Sequence, residues 1–384
     1  MSKRLLIIGA SARAAAFSAH QAGFQVLAAD LFADTDLARI AEPAVKVENY
    51  PADFEEVLTH GSFDHWMITG ALENYVGLLE RWVARFPGYC GCSPDAIRIV
   101  RSDTWRTVLT EAGLPIPEQS DTAPSPHDAP NWLVKDRRSA GGLQIQRATL
   151  STASGIPTRQ TKQGESYFQR FVPGTPMSAV YVASDFRCEL LCVSEQLIGH
   201  AWGAPSEFCF VGAIGPLDPT PDLVEQWRRI GHELSGRCGL RGVFGVDAIV
   251  KGKDVVSIEI NPRYSASVEL FDRVYERETI ADLHIKALTA PDTFSAWRRP
   301  KPTTDKVSAK AILWAQRETH IKDVQCLKAA GEGNCEKIAD IPRPGTIMAG
   351  QPIATIFASG GAREIAAKRL LRRMNATQRW MARR

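Results

Sequence analysis

The sequence predicts an α/β chain that begins with a doubly wound parallel sheet and continues as a strand-rich α+β region. Two observations lead to this fold class. Through about residue 95, short apolar strands alternate with helical segments, which is typical of a parallel sheet. Between residues 131 and 260 most segments have the character of strands, and one long helix interrupts them. At 384 residues the chain is long enough for several domains, which we place at 1–95, 96–172, 173–290 and 291–384.

The first region is built from short strands and helices in alternation. Residues 4–8 form an apolar strand that ends at Gly9, and the helix predicted over residues 12–22 ends at Gly23. The other elements predicted here are a strand over 24–29 that ends at Asp30, a helix over 53–60 and a strand over 66–68.

The remainder of the chain carries more strands than helices. One helix is expected from Asp95 to Ala112, before a proline-rich loop. Strands are predicted over 132–135, 167–172, 179–183, 189–193, 245–250 and 255–260, and helices over 221–238 and 278–289. Residues 290–305 have the composition of a linker, and a small strand-rich domain follows. The basic helix over 361–384 is interpreted as a solvated face, with binding of an anionic partner as the alternative.

Composition excludes several classes of protein. The formal net charge of +3 is too small to indicate binding to nucleic acid or to a membrane surface. The sequence has no run of about 20 apolar residues, so it predicts no transmembrane helix. The eight cysteines are scattered, and the single residue between Cys90 and Cys92 is too short a spacing for zinc ligands. We therefore expect a cytoplasmic protein with reduced thiols.

The strongest chemical signal is a pair of strands that carry acids. Glu259 and Asn261 lie two residues apart and therefore share one face of their strand, where Asp247 on the neighbouring strand can join them. Two carboxylates and an amide oxygen are hard ligands suited to Mg²⁺. Arg263 follows, and its guanidinium can bind a carboxylate or phosphoryl oxygen through two hydrogen bonds. The alternative interpretation is an acidic hairpin edge with no ligand.

A second signal lies about 110 residues earlier. Lys135 ends an apolar strand, and Gly141 and Gly142 follow within a loop of small residues. A lysine in this position can reach a phosphate, and the backbone N–H groups of such a loop can surround a phosphate chain. A plain hairpin turn is the alternative for the glycine pair.

Together these motifs resemble the ATP-grasp superfamily, in order and in separation. The resemblance includes the segment Tyr167 to Gly174 and extends along almost the whole chain, so it implies a nucleotide-fold domain, a two-part grasp fold and a small strand-rich C-terminal domain. The most similar group is that of ATP-dependent carboligases related to biotin carboxylase.

The resemblance implies cofactors and a role for each motif. ATP would bind with Mg²⁺, or with Mn²⁺ in its place, and Arg263 would stabilise the acyl-phosphate as the catalytic residue. Asp247, Glu259 and Asn261 would be the metal ligands. The nucleotide would be bound by Lys135, Gly141, Gly142, Gln169, Arg170, Phe171, Val172 and Gln196, with the backbone groups of Arg170 and Val172 at the adenine edge. Such enzymes are often homodimers and act on small molecules, here a carboxylate and an amine.

Two positions depart from the pattern of the family. Where many members have a phosphate-binding lysine before the grasp fold, this chain has Thr104, and Arg106 is the candidate to replace it. Gly245 stands where ligases similar to the D-alanine enzyme have an arginine. Glu73 and Asn74, which follow a strand end, are candidates for substrate contact. His200 is interpreted as a surface-loop residue rather than as a base or ligand.

Three other functions stay open on the sequence alone. A carboxylase or carbamoylating enzyme would use carboxyphosphate in place of the acyl-phosphate. A non-catalytic nucleotide-binding protein would account for the missing lysine. A nicotinamide-dependent oxidoreductase would use Gly9, Ala14 and Asp30 as a partial dinucleotide fingerprint, although Ser11 stands where glycine normally allows close approach.

Overall fold

The computed structural model describes residues 3–149, 166–274, 278–295, 297–298, 306–322 and 337–382. Ten α-helices lie in these ranges: α1 Arg13–Gln21, α2 Phe54–His60, α3 Val76–Arg85, α4 Pro94–Arg101, α5 Thr104–Glu111, α6 Pro221–Cys238, α7 Glu269–Asp272, α8 Ile280–Thr289, α9 Pro291–Ser295 and α10 Arg363–Ala382. Within the described residues, no helix is both long and apolar enough to cross a bilayer.

The described strands fall into four sheets. In chain order they are β1 Arg4–Ile8, β2 Gln25–Asp30, β3 Ala41–Lys46, β4 His65–Ile68, β5 Gln119–Ser120, β6 Trp132–Asp136, β7 Gln146–Arg147, β8 Ser166–Arg170, β9 Thr175–Ala183, β10 Cys188–Ile198, β11 Phe210–Leu217, β12 Gly242–Lys251, β13 Asp254–Asn261, β14 Val307–Trp314, β15 Thr319–Ile321, β16 Ile338–Ala339, β17 Gly345–Ile347 and β18 Pro352–Gly360.

The N-terminal sheet is parallel, as predicted, with strand order β3-β2-β1-β4. Strand β1 is central, and its residues Leu5 to Ile8 are almost wholly buried, because a strand covered on both faces needs apolar side chains on both. The carboxyl ends of β1, β2 and β4 meet at one edge, which is where ligands bind in sheets of this kind.

An eight-stranded sheet, order β13-β12-β9-β10-β11-β14-β18-β16, forms the main body of the rest of the chain. Its pairings are antiparallel, and the strand-rich C-terminal segment enters it through β14 and β18. A smaller antiparallel sheet, order β5-β8-β6-β7, faces the β12–β13 edge across a cleft. The mixed α/β class is therefore confirmed. The domain boundaries given above stay predictions, and the tail shares its sheet with the preceding region.

The single helix predicted from Asp95 to Ala112 is wrong, because the chain forms α4 and α5 with a break between them. Ser102 has an extended backbone with ψ of −176°, and Asp103 begins the next helix. Both helices bury an apolar face, so the helical periodicity continues across the break and hides it. The break leaves Arg101 at the end of α4, beside the cleft.

Candidate active site

A cleft of about 700 Å³ lies between the small sheet and the edge of the large one. Its lining unites the two signals that the sequence separates by about 110 residues. Residues from both sides line it, among them Arg101, Lys135, Gly141, Gly142 and Glu259. Lys135 of the small sheet and Glu259 of the large sheet therefore line the same cleft.

The acidic strand pair is the hairpin of β12 and β13. Asp247 pairs directly with Glu259, and the register shifts immediately afterwards, so that Ile258 has no partner on β12. Such a bulge bends a strand and redirects its side chains. The side-chain amide of Asn261 donates to Asp247 Oδ2 at 3.1 Å, so the three predicted metal ligands share one face. Of the three, Glu259 lines the cleft.

Electrostatics at this hairpin favours a cation. Burial, and next the nearby charge of Glu259, raise the pKa of the Asp247 carboxyl to about 7. Two carboxylates and one amide oxygen match the hard donors that Mg²⁺ takes from a protein, with nucleotide oxygens and water completing its shell. Across the residues that the structure describes, no cluster of three His, Cys, Asp or Glu side chains forms a metal site. The candidate metal site therefore depends on the side-chain amide oxygen of Asn261 as its third ligand.

Arg263 lies beside the metal-ligand candidates and reaches the N-terminal sheet. Its Nε donates to Glu73 Oε1 at 2.6 Å, and its Nη2 donates to Asn261 Oδ1 at 3.1 Å. Burial opposes its charge, but the carboxylates of Glu73, Glu259 and Asp247 raise the pKa of Arg263 above its usual value. Glu73, a predicted substrate contact, is only 1% exposed and holds this arginine in place.

Lys135 is buried at the inner end of the cleft. Its Nζ donates to Gln169 Oε1 at 2.9 Å, and it has only 6% exposure. A neutral amide satisfies one of the three donors of the ammonium group without cancelling its charge. An anionic ligand would therefore form a stronger hydrogen bond with the Lys135 ammonium group than the Gln169 amide does.

The glycine loop is packed against the segment before β11. Gly141 and Gly142 have φ values of +66° and +73°, and a Cβ at Gly142 would collide with the carbonyl oxygen of Phe208. The Phe210 N–H donates to the Gly141 carbonyl at 2.8 Å. Asn74, the second predicted substrate contact, instead donates to the Arg138 carbonyl at 3.0 Å and supports this loop.

The predicted adenine hinge follows β8. The N–H of Arg170 donates to the Glu118 carbonyl at 2.9 Å, and that of Phe171 donates to the Asn131 carbonyl at 2.8 Å. Within the described part of the chain, the Val172 N–H has no acceptor and stays available to a ligand. The Arg147 guanidinium lies 4.3 Å from the centroid of the Phe171 ring.

Three other predicted positions lie away from the cleft lining. Gln196 pairs with Ala213 in the large sheet and does not line the cleft. His200 bonds locally to the Ala204 carbonyl at 3.0 Å and is exposed, as a surface-loop residue should be. At Gly245, a Cβ would lie 3.2 Å from Ser265 Oγ, so a larger side chain would press against that serine.

Sequence reasoning missed Arg101, which lines the cleft. Its Nη2 lies 3.2 Å from Glu73 Oε1, and its Nη1 lies 4.0 Å from Glu259 Oε1. Arg106, the candidate to replace the missing lysine, is buried and donates to the Pro117 carbonyl outside the cleft lining. The sequence does place an arginine three positions before Thr104. It was not considered as a ligand-binding residue because one unbroken helix was predicted over this segment.

Comparison with known proteins agrees with this architecture. The ATP-grasp domain family matches residues 102–267. The formate-dependent phosphoribosylglycinamide formyltransferase of Paraburkholderia xenovorans is 28% identical over 129 residues, which cover 30% of this chain and 31% of that protein. The chain thus matches less than a third of that relative's length.

Two solved structures share the fold over almost the full chain. The L-amino acid ligase from Bacillus licheniformis has a TM-score of 0.71 and 13% identity, with 97% of each chain covered. Biotin carboxylase from Campylobacter jejuni, solved as a β-γ-ATP complex, has a TM-score of 0.70 and 13% identity, with 96% of this chain and 90% of that chain covered. Residues 102–267 therefore match an ATP-grasp domain, and the architecture of almost the whole chain is that of the two solved structures.

Proposed function

We propose that this chain is an ATP- and Mg²⁺-dependent ligase that converts a carboxylate into an acyl-phosphate for attack by an amine. One observation carries the proposal: Lys135, the Gly141–Gly142 loop and Glu259 line the same cleft. Phosphoryl transfer depends mainly on positioning and on charge stabilisation, and these groups supply a cation, backbone donors and a metal ligand.

The substrate classes are supported by the names of two similar proteins. One relative is a formate-dependent formyltransferase, and formate is a carboxylate. One structural neighbour is an L-amino acid ligase, and amino acids carry both a carboxylate and an amine. Both classes are small molecules. A homodimer, which the resemblance also implies, stays a prediction.

In this proposal ATP supplies the γ-phosphoryl group. Asp247, Glu259 and Asn261 would hold Mg²⁺, which when bound would supply positive charge near the phosphate oxygens. Lys135 faces the phosphate chain from the opposite side of the cleft. Arg263, held by Glu73, binds the acyl oxygen on which negative charge develops when the amine attacks. Asn261 Oδ1 accepts a hydrogen bond from Arg263 with one of its two lone pairs, so the other lone pair would be available to a metal ion.

The glycine loop would exclude water from the acyl-phosphate. Its backbone is hydrogen-bonded to Phe210 and close to Phe208, and it forms part of the cleft lining. Glycine at both positions allows backbone N–H groups to approach a phosphate without steric conflict. Gln169 and the free Val172 N–H would bind the nucleoside end, together with backbone groups of Arg170.

The likeness to biotin carboxylase favours a second candidate, a carboxylase that uses bicarbonate. The nicotinamide alternative is disfavoured by Asp30. This carboxylate is fully buried and accepts hydrogen bonds from the N–H groups of Ala12, Phe32 and Ala33, so it is not free to bind a ribose.

The decisive experiment measures ADP release from Mg-ATP across a panel of carboxylates crossed with a panel of amines. Bicarbonate forms a separate arm, and reactions without Mg²⁺ serve as blanks. We expect release only when a carboxylate and an amine are both present, with an amide product by mass spectrometry. Release with bicarbonate alone would favour the carboxylase, and nucleotide binding without any turnover would favour a binding protein.

A further inference from the structure

The cleft lining contains a cationic side chain, that of Arg101, to which none of the sequence motifs assigns a role. Thr104, where many relatives have a lysine, is exposed, and its hydroxyl bonds to Ser102. Arg106 is turned toward the Pro117 carbonyl. Neither residue lines the cleft, so neither compensates for the missing lysine.

Arg101 is placed where such a cation is needed. It ends helix α4, and the break at Ser102 leaves its side chain in the lining of the cleft that Lys135 and Glu259 also line. Its side chain is 19% exposed, and its Nε is buried with no acceptor among the described residues. A buried donor without an acceptor is costly, which points to a partner that the bare chain does not contain.

We propose that Arg101 is the second phosphate-binding cation of the cleft and contacts the terminal phosphates of ATP. This inference rests on the function proposed above. The Nη1 of Arg101 lies 4.0 Å from Glu259 Oε1, and Glu259 is one of the residues that would hold Mg²⁺ beside the phosphates of ATP. A guanidinium at that distance can turn from the carboxylate to the phosphate oxygens and bind them through two N–H groups.

Glu73 gives this arginine a fixed position. The same Oε1 atom accepts from Arg263 at 2.6 Å and lies 3.2 Å from Arg101, so one buried carboxylate holds both guanidinium groups. Two cations that would otherwise repel each other are thereby kept on one side of the cleft. Arg263 faces the acyl group and Arg101 faces the phosphate that leaves it.

The test compares Arg101→Gln with Arg98→Gln, a matched control one turn earlier on α4. Arg98 is half exposed and pairs with Asp95 and Glu80 away from the cleft. Binding of a non-hydrolysable ATP analogue, ADP and AMP is measured with Mg²⁺ present, by the fluorescence of Trp105 in the cleft lining and by calorimetry.

We expect Arg101→Gln to weaken binding of the ATP analogue by about 10- to 100-fold, as for the loss of a charge-assisted hydrogen bond. AMP binding should change by less than about threefold, because AMP lacks the terminal phosphates. Arg101→Lys should recover part of the loss because it restores the charge. Arg98→Gln should match the wild type with all three nucleotides.

Unchanged binding of the ATP analogue by Arg101→Gln, beside a wild type that binds it, would overturn this inference and leave the proposed function intact. An equal loss for the ATP analogue and AMP would also overturn it, because Arg101 would then act through the fold. Thermal melting of each variant identifies that case independently. A wild type that binds none of the three nucleotides would overturn the proposed function itself.

Discussion

Two groups of carboxylates in this molecule differ in the cations that compensate their charge. The first is the Arg13 cluster, which we define as Arg13, Asp36, Glu269, Lys310 and Asp340. Here Arg13 bonds to Asp340 at 2.8 Å and to Glu269, while Lys310 bonds to Glu269 at 2.9 Å. Burial alone would raise the pKa of Glu269, but the charges of Arg13 and Lys310 hold it well below its usual range.

The second group is the pair Asp247 and Glu259 at the cleft. The pKa of Asp247 is raised to about 7, chiefly by burial and next by Glu259. Nearby cations therefore contribute to the difference together with burial, because the Glu269 side chain is 8% exposed and that of Glu259 is 36% exposed. In the Arg13 cluster the compensating cations belong to the chain, although burial still raises the pKa of Asp36. For the cleft pair we propose that the compensating cation is a bound metal ion.

The largest expected effect comes from Glu259→Gln. Turnover should fall by about a thousandfold, because a metal ligand stabilises transition-state charge by several kcal/mol. Yet the melting temperature should not fall below that of the wild type, because the change removes repulsion with Asp247. ADP release and thermal melting measure the two quantities. Asp254→Asn, at the exposed start of the same strand, is the matched control and should leave both unchanged.

Normal turnover in Glu259→Gln would contradict the metal role. A large drop in melting temperature would instead contradict the contrast between the two groups, because it would mean that the cleft pair stabilises the fold as the Arg13 cluster is expected to do.

The next effect comes from Arg13→Met, which leaves Glu269 and Asp340 buried without their main cation. The free energy of unfolding should fall by about 3–5 kcal/mol, the usual consequence of removing one partner of a buried ion pair. Urea unfolding measures it, and Arg39→Met on an exposed turn provides the control. A loss below about 1 kcal/mol would mean that the cluster does not stabilise the fold.

The sequence could predict the cleft far better than the Arg13 cluster. Glu259 and Asn261 alternate along one strand, and Asp247 lies on the strand joined to it by a short turn, so local periodicity was sufficient. Arg13 and Asp340 are 327 positions apart and meet only through the tertiary fold. No local pattern encodes such a contact.

Arg101 illustrates an intermediate case. A helix was predicted over its segment, but the break at Ser102 was not, because apolar residues continue at helical spacing through α5. A single residue with extended backbone redirects the side chains on both sides of it. The entry of β14 and β18 into the large sheet was hidden for a similar reason, since strand pairing over long separations follows no sequence period.

A third test uses a neutral contact between the N-terminal region and the large sheet. His284 accepts from the Val243 N–H at 2.7 Å and lies 3.1 Å from the Cys90 carbonyl through its other nitrogen. Burial lowers the pKa of His284 to about 4. Between about pH 6.5 and pH 4 the unfolded chain binds this proton and the folded chain does not, so stability falls as the pH falls.

We therefore expect wild-type protein to lose up to about 3 kcal/mol through His284 over this range. In His284→Asn that contribution is absent, so the difference between the two unfolding free energies should narrow as the pH is lowered. Urea unfolding at several pH values measures this. His60→Asn, an exposed substitution, should follow the wild-type curve. A constant difference between wild type and His284→Asn would show that the contact does not depend on the neutral ring.

The smallest expected effect separates two buried lysines that differ in their partners. Lys135 is 6% exposed and bonds to the neutral Gln169, whereas Lys310 is 5% exposed and bonds to the Glu269 carboxylate. Lys135→Met should weaken ATP binding by about tenfold, as for the loss of one charge-assisted contact, with little loss of stability. Lys310→Met should destabilise the fold and leave ATP binding unchanged at a temperature where the variant is folded. Calorimetric titration measures the ATP affinity of each variant, and urea unfolding measures its free energy of unfolding. If both variants lose ATP affinity, or both lose stability, then the partner of a buried lysine does not determine its role. The contrast between the cleft and the Arg13 cluster would then be wrong for the two residues that resemble each other most.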